Sequence, residues 1–491
     1  MSADAEEPTV PVVGGRTLRS AAGWNAASLG GGQAIRISAA LVLTAILGQE
    51  QIGIVALANV YVALAIVFVQ FGFGTLLIQK EVLNDGHIGA ATALSLGTGS
   101  LVTLATLGAA PIAADFFDAP ELTNVLRVLS VLLLLKAFSV VPTSLLYRRM
   151  RFAPPAIAGL VGTVIGAIVG ISIAIVTKSY WAIVWQLMIT ESITALGVFL
   201  AAPGLNLTTT RAELREVWSF GTKLLGTNIV NFASDNGDNA LIGRVEGVVP
   251  LADYTLSYRI LTLPVQTVGQ TVLRSLLPIF SRLQSDRQAV ADLFYRAQRA
   301  VAVVVTGPLI VIALAAGDAI PWAFGDEWSS AVTTTRWVAV AGILRLAFGM
   351  DGATMTAMGR PGWQFWWSLT TTTVALAGFG VGIQWGIEGV AASIVITGVP
   401  LALIGMQILS RLIPVTPWGS VIRLAPVAAV GATIVGLWAA LSPATEDLAI
   451  VVRLVVRCSV TSLAYLGLLA ISPTIRDEVR RFLPFGSKAS S

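Results

Sequence analysis

Apolar runs long enough to cross a bilayer recur from one end of this chain to the other, and they constrain its fold more than any other feature. AALVLTAILG at 39–48, VLLLLKAFSVV at 131–141 and VAVVVTGPLIVIALAAG at 301–317 are three of them. In hydrocarbon a backbone must satisfy its own hydrogen bonds, which a helix of about 20 apolar residues does. No polar stretch is large enough to form a soluble domain. Only 12% of the 491 residues are charged, about half the share found in soluble domains, and the mean hydropathy is +0.80. The sequence therefore specifies an all-α polytopic membrane protein.

Other features exclude whole classes of chemistry. The N-terminus, MSADAEEPTVPVVGGRTLRS, is acidic and then Pro/Gly-rich, unlike a cleavable signal peptide. Cys458 is the only cysteine, so neither an internal disulfide nor a cysteine metal cluster is expected. His87 is the only histidine, which removes histidine zinc sites and Ser–His triads; following Asn84-Asp85-Gly86, it reads as part of a helix cap. The net charge of +4 does not call for nucleic acid, because basic loops on one side of a membrane explain it.

About fourteen spans are expected, near 22–47, 53–78, 88–114, 122–146, 155–177, 180–202, 217–243, 252–280, 296–316, 330–358, 363–384, 388–410, 420–441 and 449–472. Their connections alternate in charge. One side holds nineteen Lys and Arg residues, and the other holds only Lys178 and Arg244. By the positive-inside rule both termini lie in the cytoplasm. The loop at 281–299 reads as an amphipathic helix on the membrane surface.

The chain also resembles itself. RVLSVLLLLKAF at 127–138 matches RWVAVAGILRLAF at 336–348, with Arg127 and Lys136 spaced as Arg336 and Arg345 are. LGQEQIGIVALA at 47–58 matches IGRVEGVVPLADYTLS at 242–257. Both matches pair helix n with helix n+6, the mark of two parallel six-helix lobes with a site between them. The expected organisation is a cytoplasmic tail (1–21), an N-lobe (22–202), a linker (203–216), a C-lobe (217–410), two further helices (411–472) and a second cytoplasmic tail (473–491).

Ten basic residues fall within or near spans, against the acids Glu191, Asp235, Asp238 and Asp351. Mutual pairing does not neutralise that excess. Helical spacing gathers some of the polar residues into stripes. Helix 1 carries Asn25, Ser28, Gly32 and Arg36, and helix 7 carries Asn228, Asn231, Asp235 and Asp238. Helix 8 carries Arg259, Thr262, Gln266, Gln270 and Arg274, and Asn59 and Gln70 share a face of helix 2. Each stripe must avoid lipid, so helices 1, 2, 7 and 8 are expected to line a wet cavity. Arg127 and Arg336 lie near the outer boundary, where pairing with loop acids explains them, and Arg453 is placed to snorkel. The glycines at 30–32 and 72–74 follow no strand and suit helix packing or bending rather than nucleotide binding.

A cationic cavity suits an anionic group, and phosphate matches Arg and Lys well. Arg36, Arg259, Arg274, Lys136, Arg345 and Lys223 are the candidate ligands for a diphosphate. Asp235, Asp238, Asp351 and Asn231 are the candidates for ion coupling. No cofactor beyond a coupling H⁺ or Na⁺ is expected.

The stretch DNGDNALIGRVEGVVPLADYTLSYRILTLPVQTVGQTVLRSLLPIFSRLQ at 235–284 resembles bacterial polysaccharide flippases of the multidrug/oligosaccharidyl-lipid/polysaccharide exporter superfamily. FGFGTLLIQK at 71–80, residues 121–152 and REVWSFGTKLL at 215–225 do so as well. The resemblance covers about residues 20–410 and looks closest to the colanic-acid-exporter-like branch. It implies a V-shaped two-lobe fold and alternating access. It also implies a polyprenyl-diphosphate-linked oligosaccharide as substrate, moved across the bacterial cytoplasmic membrane for polysaccharide assembly, alongside a polysaccharide polymerase. Related lipid II flippases use arginines of helices 1 and 8 on the diphosphate, where Arg36 and Arg259 fall. Their sodium site uses a helix 7 aspartate, similar to Asp235 or Asp238; its helix 11 acids have no counterpart in 363–382. Competing readings are a lipid II-type flippase, a multidrug exporter, a membrane glycosyltransferase or polymerase, and a passive scramblase. Ten intramembrane cations argue against an exporter of organic cations, and the short loops argue against a transferase.

Overall fold

In the computed structural model of the chain, the described residues are 15–202 and 208–471, with side chains described except at 15–30, 262–275, 277 and 278. They form helices and turns, with no strand among them. In chain order the first seven helices are α1 (Gly15–Leu47), α2 (Gln49–Gln70), α3 (Phe73–Gln79), α4 (Asp85–Phe117), α5 (Glu121–Arg148), α6 (Ala153–Thr177) and α7 (Trp181–Ala201). The next seven are α8 (Arg211–Val245), α9 (Val248–Arg282), α10 (Arg287–Phe324), α11 (Ser330–Phe348), α12 (Asp351–Ala357), α13 (Pro361–Gly382) and α14 (Gly386–Leu409). Two more follow, α15 (Pro417–Thr445) and α16 (Ile450–Ile471). α1–α7 pack on one another as one bundle and α8–α14 as a second, while α15 and α16 lie against α10.

Ten helical stretches among the described residues are long and apolar enough to cross a bilayer, one of them the 49-residue Pro361–Leu409 that holds both α13 and α14. α8 is not among them although it is 35 residues long. Its polar stripe, with Lys223, Asp235 and Asp238, dilutes the apolar character that marks a lipid-facing helix.

The breaks have local causes. α2 stops where Phe71 and Gly72 both take positive φ, 40° and 85°, and Leu224 of α8 occupies the space a Gly72 side chain would need. The sequence reading ran one span through this point; glycine's freedom at positive φ permits the turn. α4 starts at Asn84, whose side chain accepts from the His87 N–H at 2.8 Å. Asn84 is thus the cap, and the His87 ring points elsewhere. α8 starts with a capping box between Thr210 and Glu213.

Of the segment expected as a surface helix at 281–299, residues 281–282 end α9 and 287–299 are the first part of α10, a continuous 38-residue helix capped by Asp286. Its apolar side, Val290, Ala291 and Phe294, is buried against Leu276, Phe280, Met355 and Met406 of neighbouring helices. Burial against protein supplies what a lipid surface was expected to supply.

The two bundles meet at the end carrying the acidic loops. Leu57 of α2 packs against Gly243 of α8, and Gly53 of α2 against the Val248 carbonyl of α9. Gln49 donates to Asp253 and to the Glu327 carbonyl, each at 2.7 Å. Leu43, Ile52 and Val55 from one bundle share a buried cluster with Ala252, Leu256 and Ala331 from the other. At the basic end the start of α8 reaches the first bundle. Glu216 pairs with Lys80 and with the His87 ring, the latter at 3.1 Å, and Trp218 stacks on Phe71 at 5.1 Å.

Candidate functional site

One face of α9 is fastened to α11. Asp253 accepts from Ser330, and Ser257 donates to the Ala331 carbonyl at 3.1 Å while accepting from Thr335 at 3.0 Å. Helical periodicity turns Arg259, Tyr254 and Tyr258 to other sides. Arg259 reaches α1 of the opposite bundle, donating to Thr44 Oγ1 at 3.1 Å. Thr44 passes its own proton to the Ala40 carbonyl at 2.8 Å. Arg259 is half-buried and has no carboxylate within ion-pair distance among the described residues. A guanidinium carries five N–H donors, and the contact with Thr44 occupies one.

The other basic candidates divide by partner. Lys136 of α5 is paired with Glu191 of α7 at 2.6 Å, inside the first bundle. Arg345 of α11 approaches Asp235 of α8 at 4.0 Å, with both side chains largely exposed. Arg36 on α1 and Lys223 on α8 are exposed, with no ion pair among the described residues. Arg36 lies eight residues before Thr44, about 12 Å along the helix axis, toward the basic end. The Arg274 side chain lies outside the described residues, as do those of Thr262, Gln266 and Gln270.

The acidic candidates do not share one setting. Asp238 is 6% exposed and accepts from the Tyr254 hydroxyl at 2.8 Å and from the Asn239 N–H at 2.7 Å. Tyr254 in turn lies 3.4 Å from the Tyr258 hydroxyl. Asn231 is exposed on α8. Asp351 sits apart at the start of α12, accepting from the Trp367 indole at 2.6 Å and from the Gly352 N–H at 2.8 Å. Asp238, Asp235 and Arg345 thus form one group and Asp351 another.

Sequence reasoning missed three partners. Tyr254 and Tyr258, four apart on α9, offer a same-face signal outside the polar stripes. Asp318 falls just beyond the span expected at 296–316, yet it lies inside α10 and receives Arg457 at 3.1 Å and Arg453 at 3.7 Å. Arg453 therefore pairs inside the protein rather than snorkelling. Arg336, expected to meet a loop acid, donates instead to the Ala313 carbonyl at 3.4 Å. Near the basic end Glu216 is held below the usual carboxylate range, first by the Lys80 hydrogen bond and then by His87.

The paired cations are thus held by the scaffold, whereas among the described residues neither Arg259, at the contact between bundles, nor the exposed Arg36 has an ion pair.

Known proteins give the arrangement its context. Over 305 residues the chain is 25% identical to the teichuronic acid biosynthesis protein TuaB of Bacillus subtilis, covering 61% of this chain and 63% of that protein. It is 26% identical over 385 residues to the succinoglycan biosynthesis transport protein ExoT of Rhizobium meliloti, covering 75% of each. Its fold is similar to that of the lipid II flippase MurJ in an inward closed conformation, with a TM-score of 0.73, 10% identity and coverage of 90% of this chain and 98% of that one. The polysaccharide biosynthesis protein family model matches residues 42–333, more than half of the chain. The protein belongs to the polysaccharide biosynthesis protein family.

Proposed function

We propose that the protein flips a polyprenyl-diphosphate-linked oligosaccharide from the inner to the outer leaflet of the bacterial cytoplasmic membrane, for polysaccharide assembly. Both termini lie in the cytoplasm on this reading, so the basic end is the inner one. The observation that carries it is Arg259, a half-buried guanidinium at the contact between bundles, with Thr44 as its hydrogen-bond partner and no carboxylate at ion-pair distance among the described residues. A buried cation without a countercharge is costly, and a diphosphate arriving from the membrane surface relieves that cost with charge-assisted hydrogen bonds.

Arg36 and Lys223 extend the positive field toward the basic end, where the substrate headgroup enters. Arg345 stands far enough from Asp235 to exchange that partner for a phosphate oxygen. Arg274 completes the candidate diphosphate set, whereas Lys136, also a candidate by sequence, is held by Glu191. Closure of the basic end and opening of the acidic-end seam then present the headgroup to the other side. Transport against a gradient requires coupling, assigned to Asp235, Asp238, Asn231 and Asp351 with H⁺ or Na⁺. The surrounding lipids and a polysaccharide polymerase are the expected partners; no chemical bond in the substrate changes. A lipid II-type substrate has the same diphosphate and differs only in its sugars and peptide.

The test is translocation of a fluorescent polyprenyl-diphosphate oligosaccharide by proteoliposomes. Wild type is expected to translocate it, Arg259→Lys to retain part of the rate and Arg259→Ala to lose it. Folded wild-type protein that moves no such lipid under any ion gradient, or Arg259→Ala at the wild-type rate, refutes the reading.

A further inference from the structure

The cations inside the helices are held in two different ways. Lys136 is paired with Glu191 and Arg457 with Asp318, whereas the partner of Arg259 is a hydroxyl, Thr44 Oγ1 at 3.1 Å. A guanidinium donates and cannot accept, so the Thr44 proton must point elsewhere. The Ala40 carbonyl takes it at 2.8 Å, which leaves a lone pair of Oγ1 facing Arg259. The hydroxyl is thus fixed as an acceptor. It sets the direction of the guanidinium and leaves its charge whole.

Thr44 is itself held firmly. It is 0% exposed, and on α1 it lies between Leu43 and Leu47, which share a buried cluster with Ala252 and Leu256 of α9. A β-branched side chain has few χ1 choices in a helix, so packing of its neighbours fixes where the hydroxyl stands. Because α1 belongs to one bundle and α9 to the other, the contact between Thr44 and Arg259 exists while the acidic-end seam is shut.

We propose that Thr44 is the positioning residue of the diphosphate site: by accepting from Arg259 Nη1 it holds the guanidinium in one orientation and keeps its charge for the substrate. The inference rests on the flippase reading above and deepens it, since it says why a neutral residue stands where an acid makes the stronger tie. A carboxylate here occupies the guanidinium as Glu191 occupies Lys136, and a phosphate oxygen then has to displace it. With no acceptor at all, the long Arg259 side chain keeps its rotamer freedom, and binding must supply the ordering. A hydroxyl avoids both costs.

The same contact makes affinity depend on conformation. When α1 and α9 part at the acidic end, Leu43 leaves Ala252 and Leu256, and Thr44 leaves Arg259. The aligned guanidinium is present with that end shut and lost as it opens. The diphosphate is therefore held more tightly on arrival from the basic end than on departure at the acidic end, which is the difference between states that a transported ligand needs.

Equilibrium binding to the full-length protein in nanodiscs tests the assignment, with fluorescent polyprenyl diphosphate and the matching polyprenol as probes. Thr44→Val keeps the β-branched shape, and the Ala40 carbonyl keeps its helical N–H. It is expected to weaken polyprenyl diphosphate about 2- to 10-fold, the cost of ordering one long side chain, and to leave polyprenol unchanged. Thr44→Ser, which retains the acceptor, is expected to restore tight binding. Thr44→Asp is expected to bind polyprenyl diphosphate more weakly than Thr44→Val does, although it ties the bundles more strongly; a purely structural Thr44 gives the reverse order. The Val and Ser variants decide alone if the Asp variant does not fold. Three results overturn the assignment: Thr44→Val binding polyprenyl diphosphate as wild type does, an equal loss for polyprenol, or folded Thr44→Asp binding as tightly as wild type. Wild type that binds polyprenyl diphosphate no better than polyprenol refutes the diphosphate site itself and this assignment with it, so failure of the flippase reading is told apart from failure of the Thr44 role.

Discussion

Gly53→Ala tests whether the acidic-end seam is the closed gate of this structure. A Cβ on Gly53 points into Val248 of the opposite bundle, lying 2.7 Å from its carbonyl carbon and 2.5 Å from its Cγ1. The obstruction is mainly backbone, so no rotamer change relieves it, and α2 and α9 must separate. Overpacking of this kind costs about 1–3 kcal/mol. The cost falls on the closed seam alone, since an open seam has no Val248 to meet, so the ratio of open to closed forms rises about 5- to 150-fold. Cys458 is the only native cysteine, which makes the assay simple. In a Cys458→Ser background, Val55→Cys places a thiol at a position that is 0% exposed in the seam. Its rate of labelling by a water-soluble maleimide follows the open fraction. Gly53→Ala is expected to speed labelling within that range, while Gly108→Ala, whose Cβ meets nothing within 4 Å, leaves it unchanged. An unchanged rate in folded Gly53→Ala protein refutes the assignment of this seam as the gate.

Asp318→Ala leaves Arg457, with a side chain only 7% exposed, without its carboxylate; breaking a buried pair costs about 3–5 kcal/mol. A clear drop in melting temperature in detergent is expected, with recovery when Arg457→Met is added. Glu216→Gln removes a half-exposed pair worth about 0–1 kcal/mol, so its effect at neutral pH is small. Because the folded Glu216 titrates below its unfolded value, the stabilisation is present above an unfolded pKa of about 4.3. It is lost as pH falls through the folded value, and melting curves of wild type and Glu216→Gln should converge in acid. Arg36→Ala is expected to raise the substrate concentration for half-maximal transport while leaving the melting temperature unchanged. Lys136→Ala, which strands Glu191, lowers the melting temperature first.

What the sequence could show follows from the range of its signals. A stripe is a property of one helix, and spacing alone put Asn231, Asp235 and Asp238 on one side of α8. Pairing is a property of two helices. Nothing near Lys136 identifies Glu191 on α7 as its partner, so six basic candidates looked alike until neighbours separated them. The segment at 281–299 shows the same limit. Its periodicity announces an apolar face, but whether lipid or Met355 and Met406 cover that face depends on chain far away in sequence. Asp318 fails for a different reason: it follows an apolar run and precedes a proline, which reads as an exit from the membrane, yet α10 continues to Phe324.

These misses bear on the proposed mechanism because each removes a charge from the expected binding set and assigns it to the scaffold. Glu191 occupies Lys136, and Asp318 occupies Arg453 and Arg457. The excess of intramembrane cations that first suggested an anionic substrate is therefore much smaller than the sequence implies. It is also better placed, since half-buried Arg259 stands where α1 and α9 join the two bundles. On the proposed reading, a half-buried cation shared by the two bundles is a stronger basis for transport than a diffuse positive interior. Binding a diphosphate there adds attraction to both bundles at once, and a ligand shifts a conformational equilibrium only through such a difference in affinity between states. Had Arg259 been paired within its own bundle, as Lys136 is, the same charge would bind substrate without favouring either state.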